Sequence, residues 1–80
     1  MEKDLGALVN GLFEQIDNKK RGLTGKKSEQ LELIESDASI LASVVTDLEK
    51  RAKDHPEQKE TIYQDFRKNI NQLKAAISEI

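Results

Sequence analysis

Residues 31–52 read LELIESDASILASVVTDLEKRA. Within them Leu31, Ile34, Ala38, Leu41, Val45, Leu48 and Ala52 follow one another at alternating steps of three and four. An α-helix turns once in 3.6 residues, so this spacing lines up one narrow apolar seam of the kind that coiled coils and helix bundles bury. A second stripe, Leu33, Ile40 and Val44, runs beside the first. A single partner helix needs only the narrow seam. The extra stripe therefore means one of two things: a second helix packs against this segment, or a surface is left over for a partner. The segment is expected to be helical over about 28–53. Ser28 is expected to be its N-cap, with Glu29 and Glu32 in the first turn, where carboxylates suit the positive end of a helix.

Downstream, Asp54-His55-Pro56-Glu57 is the clearest punctuation in the chain. Proline disfavours helix at the residue before it and suits the first turn of the next helix. With Asp54 as N-cap, Glu57 would stand at the capping-box position of a third helix over about 56–80. That helix carries Ile62, Tyr63, Phe66, Ile70, Leu73, Ile77 and Ile80 at helical spacing, and the tight turn makes it the antiparallel neighbour of the second. Upstream, Leu5, Leu8, Val9, Leu12, Phe13 and Ile16 mark one face of a first helix over about 2–18, weakened by Gly6 and Gly11. Residues 19–27 hold two glycines and no apolar pattern, so they are expected to form a linker. No stretch alternates apolar and polar residues as a half-buried strand would. The expected fold is all-α: an antiparallel three-helix bundle, built as a long helical hairpin plus a shorter N-terminal helix, in one domain over 1–80. Because Ile80 falls in phase with the apolar stripe of the last helix, the chain is expected to be cut from a longer protein or to need a partner there.

Eighty residues lie near the lower limit of what one apolar core can hold together. Charged residues make up 35% of the chain, but the net charge is only -2, which argues against a general electrostatic grip on nucleic acid. No apolar stretch approaches the roughly 20 residues that a bilayer demands, and the first residues show no secretory pattern. The absence of cysteine is compatible with a reducing compartment, and a cytoplasmic location is expected.

The side chains that could carry chemistry do not converge. His55 is the single histidine and reads as a turn residue. Gly25-Lys26-Lys27-Ser28 contains part of a phosphate-binding loop, but Gly22 is too close and the preceding segment is helical rather than a strand. Glu29, Glu32, Glu35 and Asp37 read as a solvated face, and no metal-ligand motif or cofactor site is expected. Lys19, Lys20, Arg21, Lys26 and Lys27 put five positive charges in nine residues with no acid among them. They read either as a solvated linker or as a contact for an acidic partner or acidic lipid headgroups. The second stripe, Leu33, Ile40 and Val44, is the leading candidate for docking a helical partner, with Tyr63 as an anchor that combines apolar area with a polar tip.

Three segments carry a resemblance: Ile34-Glu35-Ser36-Asp37, Val45-Thr46-Asp47-Leu48-Glu49-Lys50-Arg51, and Phe66-Arg67-Lys68-Asn69-Ile70-Asn71-Gln72-Leu73-Lys74. Residues 31–80 resemble the second and third helices of the N-terminal three-helix domains of Golgi and endosomal Qb-type SNARE proteins. That resemblance implies a regulatory domain in membrane traffic that binds adaptors or tethers. The chain holds neither a SNARE heptad region with a central glutamine layer nor a membrane anchor. The same residues are similar to short BAG domains, co-chaperone modules in which Arg67, together with Asp47 and Gln64, would fall among the contact residues. Small helical-hairpin chaperones of bacterial secretion systems are a third lookalike.

The function expected is therefore non-enzymatic: a protein–protein interaction module with a helical protein partner, SNARE-like in its concrete form. The alternative is a small chaperone or adaptor that binds a helical client. Self-association is left open.

Overall fold

The computed structural model describes residues 4–80, and three α-helices account for most of them: α1 over Leu5–Lys20, α2 over Lys26–Asp54 and α3 over Lys59–Glu79. Asp4 stands in extended backbone before α1, and its carboxylate accepts a hydrogen bond from the Ala7 N–H at 2.7 Å. Such a cap satisfies one of the otherwise unpaired donors at a helix start. The expected start at Glu2 lies outside the described residues, and the cap places the first turn at Leu5.

The first linker is shorter than the sequence pattern suggests, because both helices that flank it extend into residues 19–27. Lys19 and Lys20 form the last turn of α1, where cations suit the negative helix end. Arg21 caps that end, and the Gly22 and Leu23 N–H groups bond back to the Lys19 and Lys20 carbonyls. The chain then reverses at Gly25, whose φ of 67° falls in the left-handed region that glycine tolerates without strain. Gly25, not Ser28, is the residue that precedes α2; Ser28 lies inside the first turn, and no side chain caps this end.

At the far end α2 runs through Asp54, which is therefore not the N-cap of a third helix. His55 leaves the helical region at φ -128° and ψ 75°, as suits a residue before proline, while its N–H still bonds to the Arg51 carbonyl at 2.8 Å. Pro56–Gln58 make one tight 3-10 turn, and α3 begins only at Lys59. Glu57 forms no capping box; its carboxylate stands 3.5 Å from His55 Nδ1.

Short connections make α1 antiparallel to α2, and α2 antiparallel to α3, and each pair of helices is in contact. The bundle measures 45 × 21 × 15 Å. At 1.5 Å per residue the 29 residues of α2 span about 43 Å and the 16 of α1 only about 24 Å. α2 and α3 thus form the long hairpin, and α1 leans on one side of it. The core is drawn from Leu5, Val9, Leu12 and Ile16 of α1, Leu31, Ala38 and Ala52 of α2, and Phe66, Ile70 and Ile77 of α3. Ile80 is half-buried against this core. Among the described residues no polar or charged side chain is buried, so cohesion rests on apolar burial.

Leu12 is fully buried beside Gly11, at which a Cβ would meet nothing within 4 Å. Leu12→Ala should cost about 2–5 kcal/mol, a large part of the stability of so small a domain. Gly11→Ala should instead raise stability by roughly 0.5–1 kcal/mol, by relieving the helix of glycine's entropy. Urea titration followed by circular dichroism reads both; a neutral Leu12→Ala would mean that α1 is not part of the cooperative core.

Candidate functional site

The seam of α2 faces inward, and the two flanks of that seam have different fates. Glu35 lies on the flank toward α1, where its carboxylate meets Lys20 Nζ of α1 at 2.7 Å. That hydrogen bond, with the added charge of Asp17 and Glu32, raises the Lys20 ammonium above its ordinary 10.5 against a smaller opposing effect of desolvation. Gln15 Nε2 of α1 donates to the Lys74 carbonyl of α3 at 3.4 Å, which fixes the side of α3 that α1 covers. The opposite flank of α2 carries Leu33, Ile40 and Val44. At a helical turn of 100° per residue these three lie well over 100° from Glu35, away from α1.

The consequence is visible in exposure. Leu33 is 70% and Ile40 is 60% exposed, while Val44 is half-buried against the core. α1 therefore does not cover this stripe. Beside it, α2 and α3 enclose a continuous open groove. One stretch is lined by Asp37, Ile40 and Leu41 of α2 with Asn69, Gln72 and Leu73 of α3. The next shares Leu41 and Asn69 and continues through Val44, Leu48 and Arg51 of α2 and Ile62 and Asp65 of α3. The floor is apolar, and Asp37 and Arg51 stand toward opposite ends. Fully burying a leucine or isoleucine side chain contributes about 1.5–3 kcal/mol, so covering Leu33 and Ile40 would be worth about 3 kcal/mol to an incoming helix.

The other candidate residues lie elsewhere. Tyr63 is half-buried in a separate hollow near the turn, with Pro56, Lys59, Glu49 and Ala52. Lys59 Nζ sits 5.6 Å from the Tyr63 ring centre, a cation–π contact. Arg67 is half-buried on α3, beside Gln64, Lys68 and Asn71, and does not line the groove. The five basic residues gather round the α1–α2 connection, but Lys20 is engaged with Glu35, and Lys26 and Lys27 occupy the first turn of α2. That position opposes the helix dipole. His55 is exposed at the turn, with Glu57 as its neighbour.

Sequence reasoning missed the α3 wall of the groove. Asn69, Gln72 and Asp65 carry no apolar periodicity and become groove residues only because α3 lies against α2 in this register. Asp37 reads in sequence as part of a solvated face; the fold sets it, with Arg51, along the apolar stripe.

Among the described residues, no group of three or more His, Cys, Asp or Glu side chains is placed to hold a metal, and no helix is long and apolar enough to cross a membrane. Compared with known proteins, the chain matches no family model, no curated protein and no solved structure.

Leu33→Asp combined with Ile40→Asp should leave helicity and the melting transition nearly unchanged, since exposed substitutions of this kind usually move stability by no more than about 0.5 kcal/mol. Thermal melting reads the outcome. Loss of the folded state would place the stripe in the core and remove the groove as a site.

Proposed function

We propose that the protein is a non-enzymatic interaction module that docks an amphipathic helix in the groove between α2 and α3. The observation that carries this reading is the exposure of Leu33 and Ile40 on the flank of α2 that α1 leaves uncovered. Two antiparallel helices with an apolar cleft between them are the geometry into which a third helix lays its apolar side, with anchors at turn spacing. The partner's chemistry follows from the lining. It presents aliphatic residues three, four and seven apart, a basic residue for the Asp37 end and an acidic residue for the Arg51 end.

Within this class an autonomous regulatory domain of the SNARE-like kind is preferred to a chaperone that folds only around its client. Contact between every pair of helices, and the packing of Ile80 onto the core, support a bundle that stands without a partner. Membrane traffic enters only through the resemblance of residues 31–80, and the groove itself is indifferent to the pathway.

A photo-crosslinking amino acid at Ile40, with the same group at exposed Glu57 as control, tests the reading in the cells that make the protein. A discrete protein adduct from position 40, missing from position 57, is the expected result. No adduct at 40, or the same adducts at both positions, would overturn the docking function.

A further inference from the structure

We infer that the helix this groove accepts is α2 of a second copy of the same chain, laid antiparallel across it about a two-fold axis at Val44. The inference rests on the docking function proposed above and names its occupant.

The argument is the arrangement of the stripe about its centre. Ile40 and Leu48 each stand four residues from Val44, and Asp37 and Arg51 each stand seven. All five line the groove. A pattern that reads the same in both directions is what a two-fold interface demands, because residue i must meet j while j meets i. With two copies of α2 antiparallel and centred on Val44, Val44 meets Val44 and Ile40 meets Leu48. Asp37 of each copy meets Arg51 of the other, so the interface closes with two opposite-charge pairs. A parallel pairing in register would bring Asp37 against Asp37 and Arg51 against Arg51.

The two charges are available for this. Neither Asp37 nor Arg51 has an ion-pair partner within 4 Å among the described residues, and both are exposed. Asp65 lines the groove at the Arg51 end, and a guanidinium has five donors with which to serve two carboxylates. In the same register Leu33, the most exposed of the large apolar residues, lies opposite the second copy's His55 and next to its Pro56, so the dimer covers it as well. The result is a four-helix layer of two α2 and two α3, with each α1 on the outside.

The two paired charges stand only about 21 Å apart along α2, with Leu33 at the edge of the contact, so the dimer falls at the weak end of specific interfaces.

Sedimentation equilibrium over a range of concentrations, on the whole chain, tests the register. The wild-type mass should rise from 9.0 kDa towards twice that value. Asp37→Arg sets arginine against the second copy's Arg51 at both ends, and Arg51→Asp sets aspartate against Asp37; each alone should weaken the dimer about tenfold or more. An equimolar mixture of the two variants makes only attractive pairs and should restore association, as should the chain carrying both changes. Melting curves confirm that these surface variants remain folded. A wild-type chain that stays monomeric throughout, single variants that associate as well as wild type, or a mixture that fails to recover would each overturn the assignment. A monomeric chain whose Ile40 crosslinks to a different protein would overturn the second copy as occupant and leave the docking function standing.

Discussion

The whole structure depends on the closure of a short helix against a long one. α1 brings Leu5, Val9, Leu12 and Ile16 onto the seam between α2 and α3, and these four residues are almost entirely removed from water. Without them the hairpin would expose one side of Leu31, Ala38, Phe66 and Ile70, and a two-helix hairpin of this composition has too little core to stand alone. α1 can serve only one flank. Packing against both α2 and α3 commits it to the Glu35 side of α2 and the Lys74 side of α3, and the Lys20–Glu35 ion pair and the Gln15 hydrogen bond record that choice. The apolar residues on the other flank remain at the surface for the same reason that the core is closed.

The seam of α2 was legible because its period is physical: steps of three and four force one face, and Leu31, Ala38 and Ala52 are buried where that face predicts. The all-α class, the order of helices and the tight turn at Pro56 follow from the same patterning. Helix ends were less legible. Lys19, Lys20 and Arg21 read as linker because they lack apolar neighbours, yet cations are favoured in a last helical turn, and α1 continues through Lys20. Ser28 read as a cap because of its type and the acids after it, but reversing the chain within five residues needed the positive φ of Gly25, which moved the start of α2 upstream. Asp54 stays inside α2 because His55 could leave the helical region ahead of proline while its N–H still closed the last turn of α2.

The candidate site was half legible. A doubled stripe on α2 announces a second contact surface, and periodicity leaves open whether α1 or a partner fills it; α1 and α3 compete for the same apolar area, and only their packing decides the flank. Leu33 and Ile40 turn out to be the surface residues, while Val44 leans into the core. Tyr63 and Arg67 lie on other parts of α3, outside the lining of the groove, and a sequence period could not have placed them, because it defines faces within a helix and not the register between helices. The basic cluster was legible as composition alone. Its residues do gather about one connection, but one of them is spent on Glu35 and two oppose the dipole of α2.

Charge placement then limits what can enter the groove. An apolar cleft alone accepts a helix in either direction and in several registers, because dispersion and burial carry little orientation. Asp37 toward one end and Arg51 toward the other remove that freedom. An incoming helix with a base and an acid about fourteen residues apart fits one direction and is repelled in the other, and the cost of like charges brought together exceeds what a rim pair contributes. For an α2 meeting another α2, parallel entry in register would set identical charges opposite one another, while antiparallel entry about Val44 would pair unlike ones. A surface that left Leu33 and Ile40 open with no such polarity would favour indiscriminate association. With the polarity present, the proposed docking would draw its affinity from the exposed apolar residues and its geometry from the two flanking charges.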